Sequence, residues 1–279
     1  MPGKILVLGA TGHVGAVLTT RLVSAKERVK AASRRASSVA GAEPVRFDYE
    51  DKGSYPAAFE GVDRAFVLVP GGYTNAMALL HPVIQAAAER KIKVVLQTAI
   101  GVDADDEIPY RQAELFLMRS GVPFVILRPN WFADNFHTFW LEGIKRGVIS
   151  LPAGEGRTSF IDVRDIGACA AAALTTDRFD NQSFNLTGPE ALSYYDAAAV
   201  LTKVAGRKVA YTPVDDDTFI EMATAAGLPH DYATFLASIF LPVRQGWTAG
   251  VTGDVQALTG NAPRPFEQYA ADHAAIFAG

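Results

Sequence analysis

The sequence predicts an α/β protein: a doubly wound parallel sheet with a smaller C-terminal lobe. Three observations predict it. In the first half, short β-rich runs alternate with longer segments of helical period. Most of those runs are continuously apolar, as strands buried on both faces are. The first of them leads straight into a glycine-rich turn that opens a helical pattern.

The strands read Lys4–Leu8, Arg28–Ala32, Pro44–Phe47, Arg64–Val69, Lys93–Gln97 and Pro123–Leu127. Helical patterns between them cover Val14–Ser24, Ser54–Glu60, Asn75–Arg90 and Pro109–Ser120. Gly121 and Pro123 punctuate the last change from helix to strand. The regular alternation ends after Pro129, and Asn130–Trp140 is rich in aromatics. Beyond it the pattern predicts a helix over Val163–Thr175 capped by Asp162, then a strand over Ser183–Leu186 ended by Thr187-Gly188-Pro189. Ser193 caps the next helix, which runs to Val204. A strand at Lys208–Thr212 precedes two helices divided at Gly227-Leu228-Pro229, and the acids Asp215-Asp216-Asp217 suit a helix N-terminus. Residues 1–129 therefore read as the sheet domain, and residues 130–279 as the lobe, with segments near 160–187 returning to the sheet.

The composition is that of an ordinary globular chain: 279 residues, 49% apolar, 20% charged, net charge −4. It excludes a disordered or fibrous protein and gives no electrostatic reason to bind nucleic acid. Apolar stretches such as Ile166–Leu174 and Phe235–Val243 fall short of the ~20 residues that span a bilayer. The N-terminal run after Lys4 lacks the pattern of a signal peptide, so a cytoplasmic location is expected. The single cysteine, Cys169, allows no internal disulfide and reads as a buried, inert thiol. His13, His81, His137, His230 and His273 show no metal-ligand spacing, so no metal is expected.

The turn after the first strand reads Gly9-Ala10-Thr11-Gly12-His13-Val14-Gly15. Gly9 and Gly12 permit a tight turn and a close approach to a pyrophosphate, and Gly15 lets the helix pack against the strand. The helix N-terminus presents free N–H groups and its positive dipole end, and His13 is placed to face the phosphates. The strand–turn–helix context favours a dinucleotide-binding Rossmann fold over a plain tight turn. The end of the second strand selects the dinucleotide. An NAD protein places Asp or Glu there for the ribose 2′-hydroxyl, whereas this chain reads Ala31-Ala32-Ser33-Arg34-Arg35. A carboxylate would repel a 2′-phosphate; Arg34 holds one by a charge-assisted bond and Ser33 adds a hydroxyl. NADP(H) is the expected cofactor, and a solvated basic turn is the alternative.

Short-chain dehydrogenases use a Tyr-x-x-x-Lys pair for proton transfer. No lysine here has a tyrosine four residues before it; Tyr110 is followed at that spacing by Glu114. A carboxylate one helical turn away raises a phenol's pKa. Tyr110 is therefore the one catalytic candidate, either orienting a substrate or simply packing at a helix start. Acceptors that need little proton help fit such a site. The aromatics Trp131, Phe132, Phe136, Phe139 and Trp140 read either as core or as the wall of a pocket for a flat apolar substrate. Core is expected for Phe139 and Trp140, pocket wall for Asn130, Trp131 and Phe132, which follow a strand end. Phe136, Tyr73, Phe160 and Phe240 are further lining candidates.

Several motifs together resemble the NmrA-like family of atypical short-chain dehydrogenase/reductases. They are Gly-Ala-Thr-Gly at 9–12, Leu127-Arg128-Pro129-Asn130-Trp131-Phe132 with Asp134-Asn135-Phe136, and Phe160-Ile161-Asp162-Val163-Arg164-Asp165-Ile166. Leu186-Thr187-Gly188-Pro189, Arg244-Gln245-Gly246 and Leu258-Thr259-Gly260 extend the likeness over nearly the whole chain. Within the family the chain looks most like the triphenylmethane reductase and type 2 NAD(P)H:quinone oxidoreductase group. The resemblance implies that Arg34 binds the 2′-phosphate and Asp48 faces the adenine amino group. It also implies that Val69 and Pro70 pass under the adenosine ribose, and that Thr98 and Ala99 line the nicotinamide ribose, with Pro129 beside the cofactor. The expected activity is NADPH-dependent hydride transfer to an electron-poor conjugated acceptor of the quinone, cationic dye or iminium type. The alternative is a non-enzymatic NADP-binding, redox-sensing regulator acting through a protein partner; an isomerase or cyclase is a weaker third. The expected partner is a small apolar or aromatic substrate, with neither nucleic acid nor membrane, and the chain is expected to be a monomer or homodimer.

Overall fold

The computed structural model describes residues 3–278. In chain order these form β1 (Lys4–Leu8), α1 (His13–Ser24), β2 (Val29–Ser33), β3 (Glu43–Arg46), α2 (Tyr55–Phe59), β4 (Val62–Val67), α3 (Ala76–Glu89), β5 (Lys93–Gln97), α4 (Pro109–Met118) and β6 (Phe124–Pro129). Then come α5 (Leu141–Lys145), β7 (Val148–Leu151), β8 (Arg157–Thr158), α6 (Val163–Thr175), β9 (Gln182–Leu186), β10 (Leu192–Ser193), α7 (Tyr194–Ala205) and β11 (Ala210–Pro213). The chain finishes through α8 (Asp216–Ala225), α9 (His230–Ser238), α10 (Leu241–Arg244), α11 (Asp254–Thr259), α12 (Phe266–Asp272) and α13 (Ala274–Ala278).

Two compact units result. The first comprises the chain up to Pro129 with Val163–Leu186 and Asp254–Asn261; the second comprises Asn130–Asp162, Thr187–Gly253 and the chain from Ala262 onward. The first unit holds a seven-stranded parallel sheet of order β3-β2-β1-β4-β5-β6-β9. The order reverses between β1 and β4, which is where sheets of this kind bind dinucleotides. Leu6, Leu8, Ala65, Val67, Val94 and Leu96 have no exposed surface and pack with residues of α2, α3 and α4. α1 packs on α6. Two cations satisfy carbonyls at and just beyond the C-terminal end of α6: Arg64 donates to the Leu174 carbonyl at 3.2 Å and the buried Lys93 to that of Thr176 at 2.7 Å.

The strands fall where the apolar runs predict them, within a residue or two at most ends. β4 starts at Val62 and stops at Val67, rather than running from Arg64 to Val69. Pro70 has no N–H for a ladder, and the Leu68 carbonyl accepts the Tyr49 hydroxyl.

The second unit packs around α7. Phe136, Phe160, Tyr194, Phe240, Phe266 and Tyr269 form its aromatic core. A capping box starts α7: Ser193 Oγ accepts the Asp196 N–H at 3.1 Å, and Asp196 accepts the Ser193 N–H at 3.0 Å. The hydrogen bonds that the Asp196 carboxylate takes from the Ser193 N–H and the Ser193 hydroxyl hold it below the usual carboxylate range. Asp215 caps α8 by accepting the Thr218 N–H at 2.8 Å, and Asp216 forms a two-pronged pair with Arg244, both contacts at 2.9 Å. Phe139 departs from expectation: it is 78% exposed rather than core. It lies just past the short 3-10 helix Ala133–His137, where no period tells an inward side chain from an outward one. No described helix is long and apolar enough to cross a membrane.

Candidate functional site

The glycine turn lies between β1 and α1. Gly9 has φ +66°, a left-handed conformation that glycine adopts without a Cβ clash. The Gly12 N–H donates to the Gly9 carbonyl at 2.9 Å. Gly12 is the N-cap of α1 and no side chain caps that helix, so amides of its first turn are left to an anion. A Cβ on Gly15 would stand 2.1 Å from the Gly9 carbonyl oxygen and 2.9 Å from the Ala10 Cα. Only hydrogen fits there, and the turn is pressed onto the helix as a result. Thr11, Gly12 and His13 are exposed, while the Val14 side chain is buried in the core and leaves only its amide to a ligand.

The end of β2 is basic. Ser33 Oγ accepts the Ser37 N–H at 3.0 Å, which leaves its hydroxyl hydrogen to donate. Arg34 and Arg35 are exposed, and among the described residues neither guanidinium has a hydrogen-bond or ion-pair partner. Asp48 follows β3; one oxygen accepts the Glu50 N–H at 3.1 Å, and the other takes no hydrogen bond among the described residues. Val69 and Pro70 lie half-buried past the end of β4. Tyr49 sets that segment by donating to the Leu68 carbonyl, and burial pushes its phenol above the ordinary range. Nothing in the sequence marks Tyr49 for this role. Its ring meets Phe47 edge to face, 5.1 Å between centroids, and a packed core aromatic has the same sequence signature.

At β5 and β6 the structure revises one expectation, that of a bare carboxylate at position 114. Thr98 is buried and its hydroxyl donates to Glu114 Oε1 at 2.7 Å, so it presents backbone rather than a free hydroxyl to a ligand. Glu114, which sits where the dehydrogenase lysine would be, has no exposed surface. Arg128 grips it through Nε at 2.9 Å and Nη2 at 2.7 Å, and Arg111 reaches it at 3.1 Å. The carboxylate is therefore matched by two guanidiniums and is not a bare charge beside a phenol. Arg128 is the sequence signal for this arrangement: a cation inside an apolar strand demands a buried partner. Ala99 is half-buried, and the buried Pro129 accepts the Ile100 N–H at 3.1 Å.

Tyr110 is half-buried at the start of α4, against the sheet core. With Glu114 engaged elsewhere, Tyr110→Phe is expected to lower turnover far less than the ~10²–10⁴-fold that marks loss of a general acid. Steady-state kinetics of the variant would check this, and a loss near the upper end would contradict it.

Among the substrate candidates, Trp131, Phe132 and Tyr73 are half-buried, Trp131 against the aromatic core and Tyr73 in the segment before α3. Four others are corrected. Asn130 is 2% exposed: its amide donates to Ser159 Oγ at 2.7 Å and the Thr248 carbonyl at 2.8 Å, and accepts the Trp131 N–H at 2.9 Å. Its bonding capacity is spent on bracing the segment. Phe136, Phe160 and Phe240 are at most 2% exposed and belong to the core. Phe240 backs Trp131 with 4.6 Å between centroids.

A doubly wound parallel sheet with such a glycine turn at its switch point defines a Rossmann-type protein. The model of the NmrA-like family matches residues 1–246, and the chain belongs to that family. It is 31% identical to the NAD(P)H azoreductase of Xenophilus azovorans, over 98% of this chain and 99% of that one. Two solved structures share the fold. The NADPH-dependent quinone oxidoreductase of Escherichia coli, in complex with NADPH, superposes with TM-score 0.85 at 21% identity, over 96% of this chain and 99% of that one. The triphenylmethane reductase of Citrobacter sp., in complex with NADP(H), gives 0.82 at 24% identity, over 97% and 99%. These are the groups that the sequence motifs resemble.

Proposed function

We propose that this protein is an NADPH-dependent reductase that passes hydride to an electron-poor conjugated acceptor of the quinone, cationic dye or iminium kind. One observation carries the reading: two guanidiniums without a partner among the described residues, and no acid, at the end of β2, on a sheet whose glycine turn is shaped for a pyrophosphate. The amides of the Gly9–Gly15 turn would hold the pyrophosphate, with Thr11 and His13 beside it. Ser33 and Arg34 would hold the 2′-phosphate, and the free oxygen of Asp48 the adenine amino group. Val69, Pro70, Ala99, Pro129 and the backbone of Thr98 would border the riboses. When bound, the cofactor supplies the hydride. The chain's own contribution is orientation and a water-poor surface, for which Trp131 and Phe132 are the candidates. In this reading residues 1–129, with the segments that rejoin the sheet, bind the cofactor, and the remainder binds the substrate. No lysine follows Tyr110 at the four-residue spacing of the dehydrogenase pair, which favours acceptors that take hydride readily. Relatives named for azo compounds, quinones and triphenylmethanes support that class.

Calorimetric titration tests the cofactor assignment. A charge-assisted bond to phosphate is worth about 1.5–3 kcal/mol, so Arg34→Ala is expected to weaken NADPH roughly ten- to a hundredfold and leave NADH unchanged. Arg35 is adjacent and compensates in part, so the double variant loses more. Equal affinity of the unaltered protein for NADH and NADPH would overturn the assignment. NADPH oxidation against quinones, cationic dyes and iminium compounds tests the reaction; tight NADPH binding with no turnover would favour the redox-sensing regulator.

A further inference from the structure

We infer that Glu114 is a positioning residue for the nicotinamide half of the cofactor site, an inference that rests on the NADPH reading above. Its carboxylate has no exposed surface and accepts four hydrogen bonds: one from Thr98, two from Arg128 and one from Arg111. Thr98 lies just past β5 and Arg128 within the last turn-ward residues of β6. Glu114 thus ties two adjacent strand ends to α4. Arg128 extends the tie to Asp103 at 2.5 Å, and Arg111 to Asp106 at 2.9 Å, so the connection from β5 to α4 is held at two points. The backbone stays paired to the end of this region, Thr98 N–H to Leu127 at 2.9 Å and Ile100 N–H to Pro129 at 3.1 Å.

A dinucleotide in a doubly wound sheet lies across the switch point, one half over each set of strands. Here the basic end of β2 claims the adenosine half, which leaves the ends of β5 and β6 to the nicotinamide half. The side chains that Glu114 gathers are those that fix where the two strands end. Stability alone does not call for this arrangement: a buried ion pair is commonly replaced by apolar residues of similar volume at no cost. A carboxylate gripped from fixed directions supplies geometry instead, and a hydride must leave from a defined position.

The test compares NADPH with 2′,5′-ADP, which carries the adenosine half and the 2′-phosphate but no nicotinamide. Calorimetry is run on the unaltered protein, Glu114→Gln, the apolar pair Glu114→Leu/Arg128→Met, and Thr98→Val, which removes one hydrogen bond to the carboxylate. The expected result is unchanged 2′,5′-ADP affinity throughout. NADPH affinity falls about tenfold or more in the two Glu114 variants, and less in Thr98→Val. The apolar pair is expected to melt near the unaltered protein, and Thr98→Val keeps the test open if Glu114→Gln does not fold. NADPH affinity unchanged in the apolar pair would overturn the proposal. So would an equal loss of both ligands in a variant that melts normally. An unaltered protein that binds neither ligand would overturn the NADPH reading itself, and this inference with it.

Discussion

Phe136→Ala is expected to destabilise the protein by about 3–5 kcal/mol, the range for removing a fully buried phenyl ring. The ring has no exposed surface. It meets Trp140, Phe160, Phe266 and Tyr194 at centroid distances of 4.8, 5.2, 4.9 and 6.1 Å. Three of those neighbours are themselves buried aromatics, fixed by one another, so the void is slow to collapse. Urea unfolding followed by tryptophan fluorescence would measure the loss. NADPH affinity, measured where the variant is still folded, is expected to stay as it was. An unfolding midpoint like that of the unaltered protein, with a raised KM for the acceptor, would return Phe136 to the pocket wall.

Gly15→Ala is expected to be nearly as damaging and to act on two properties at once. The added methyl would lie 2.1 Å from the Gly9 carbonyl oxygen, against backbone that has no rotamer to change. Overpacking costs about 1–3 kcal/mol when side chains can give way, and the upper end is expected here. The relief available is to push the Gly9–Gly12 turn off the helix, which spoils the amide cradle. NADPH affinity is therefore expected to fall at least tenfold, by roughly the worth of one charge-assisted hydrogen bond. Melting with and without NADPH would show both effects: a lower midpoint, and little upward shift on adding the cofactor. Unchanged midpoint and shift would mean that the turn relaxes without cost.

The sheet domain was legible because burial on both faces leaves an unmistakable trace, runs such as Lys4–Leu8 and Lys93–Gln97 that match the strands to the residue. The glycine turn was legible for a similar reason: its backbone geometry excludes other residues. The aromatic segment was not. In Asn130–Trp140 the chain is one short 3-10 helix set among turns, with no sustained period, so Phe136 at zero exposure and Phe139 at 78% look alike in sequence. Asn130 misled in another way. A polar residue at a strand end suits a ligand contact, but it equally suits a brace, and only its partners Ser159 and Thr248, far along the chain, decide between them. In sequence Glu114 stands out as the residue where a lysine is absent, yet its partner Arg128 is 14 residues away on the next strand.

The last strand of the sheet has a consequence for how the molecule is made. β9 pairs with β6 along Val125–Pro129, yet the chain between them first contributes Asn130–Asp162 to the second unit and forms α6 before it returns. During synthesis, β1–β6, six of the seven strands, emerge before β9, and until it arrives β6 has a bare flank. That flank is the apolar run Phe124–Leu127, an open template for pairing with another chain. A fragment cut at Pro129 would keep this edge permanently, lose the α6 cover over α1, and be expected to aggregate rather than fold as an isolated domain. Contacts so distant in sequence are also slow to form, since the intervening loop must be ordered before they reward it. The nascent chain is thus committed late: nucleotide cannot stabilise a finished sheet until the ribosome has passed residue 186, and a chaperone that shields the β6 edge would be needed most in that interval.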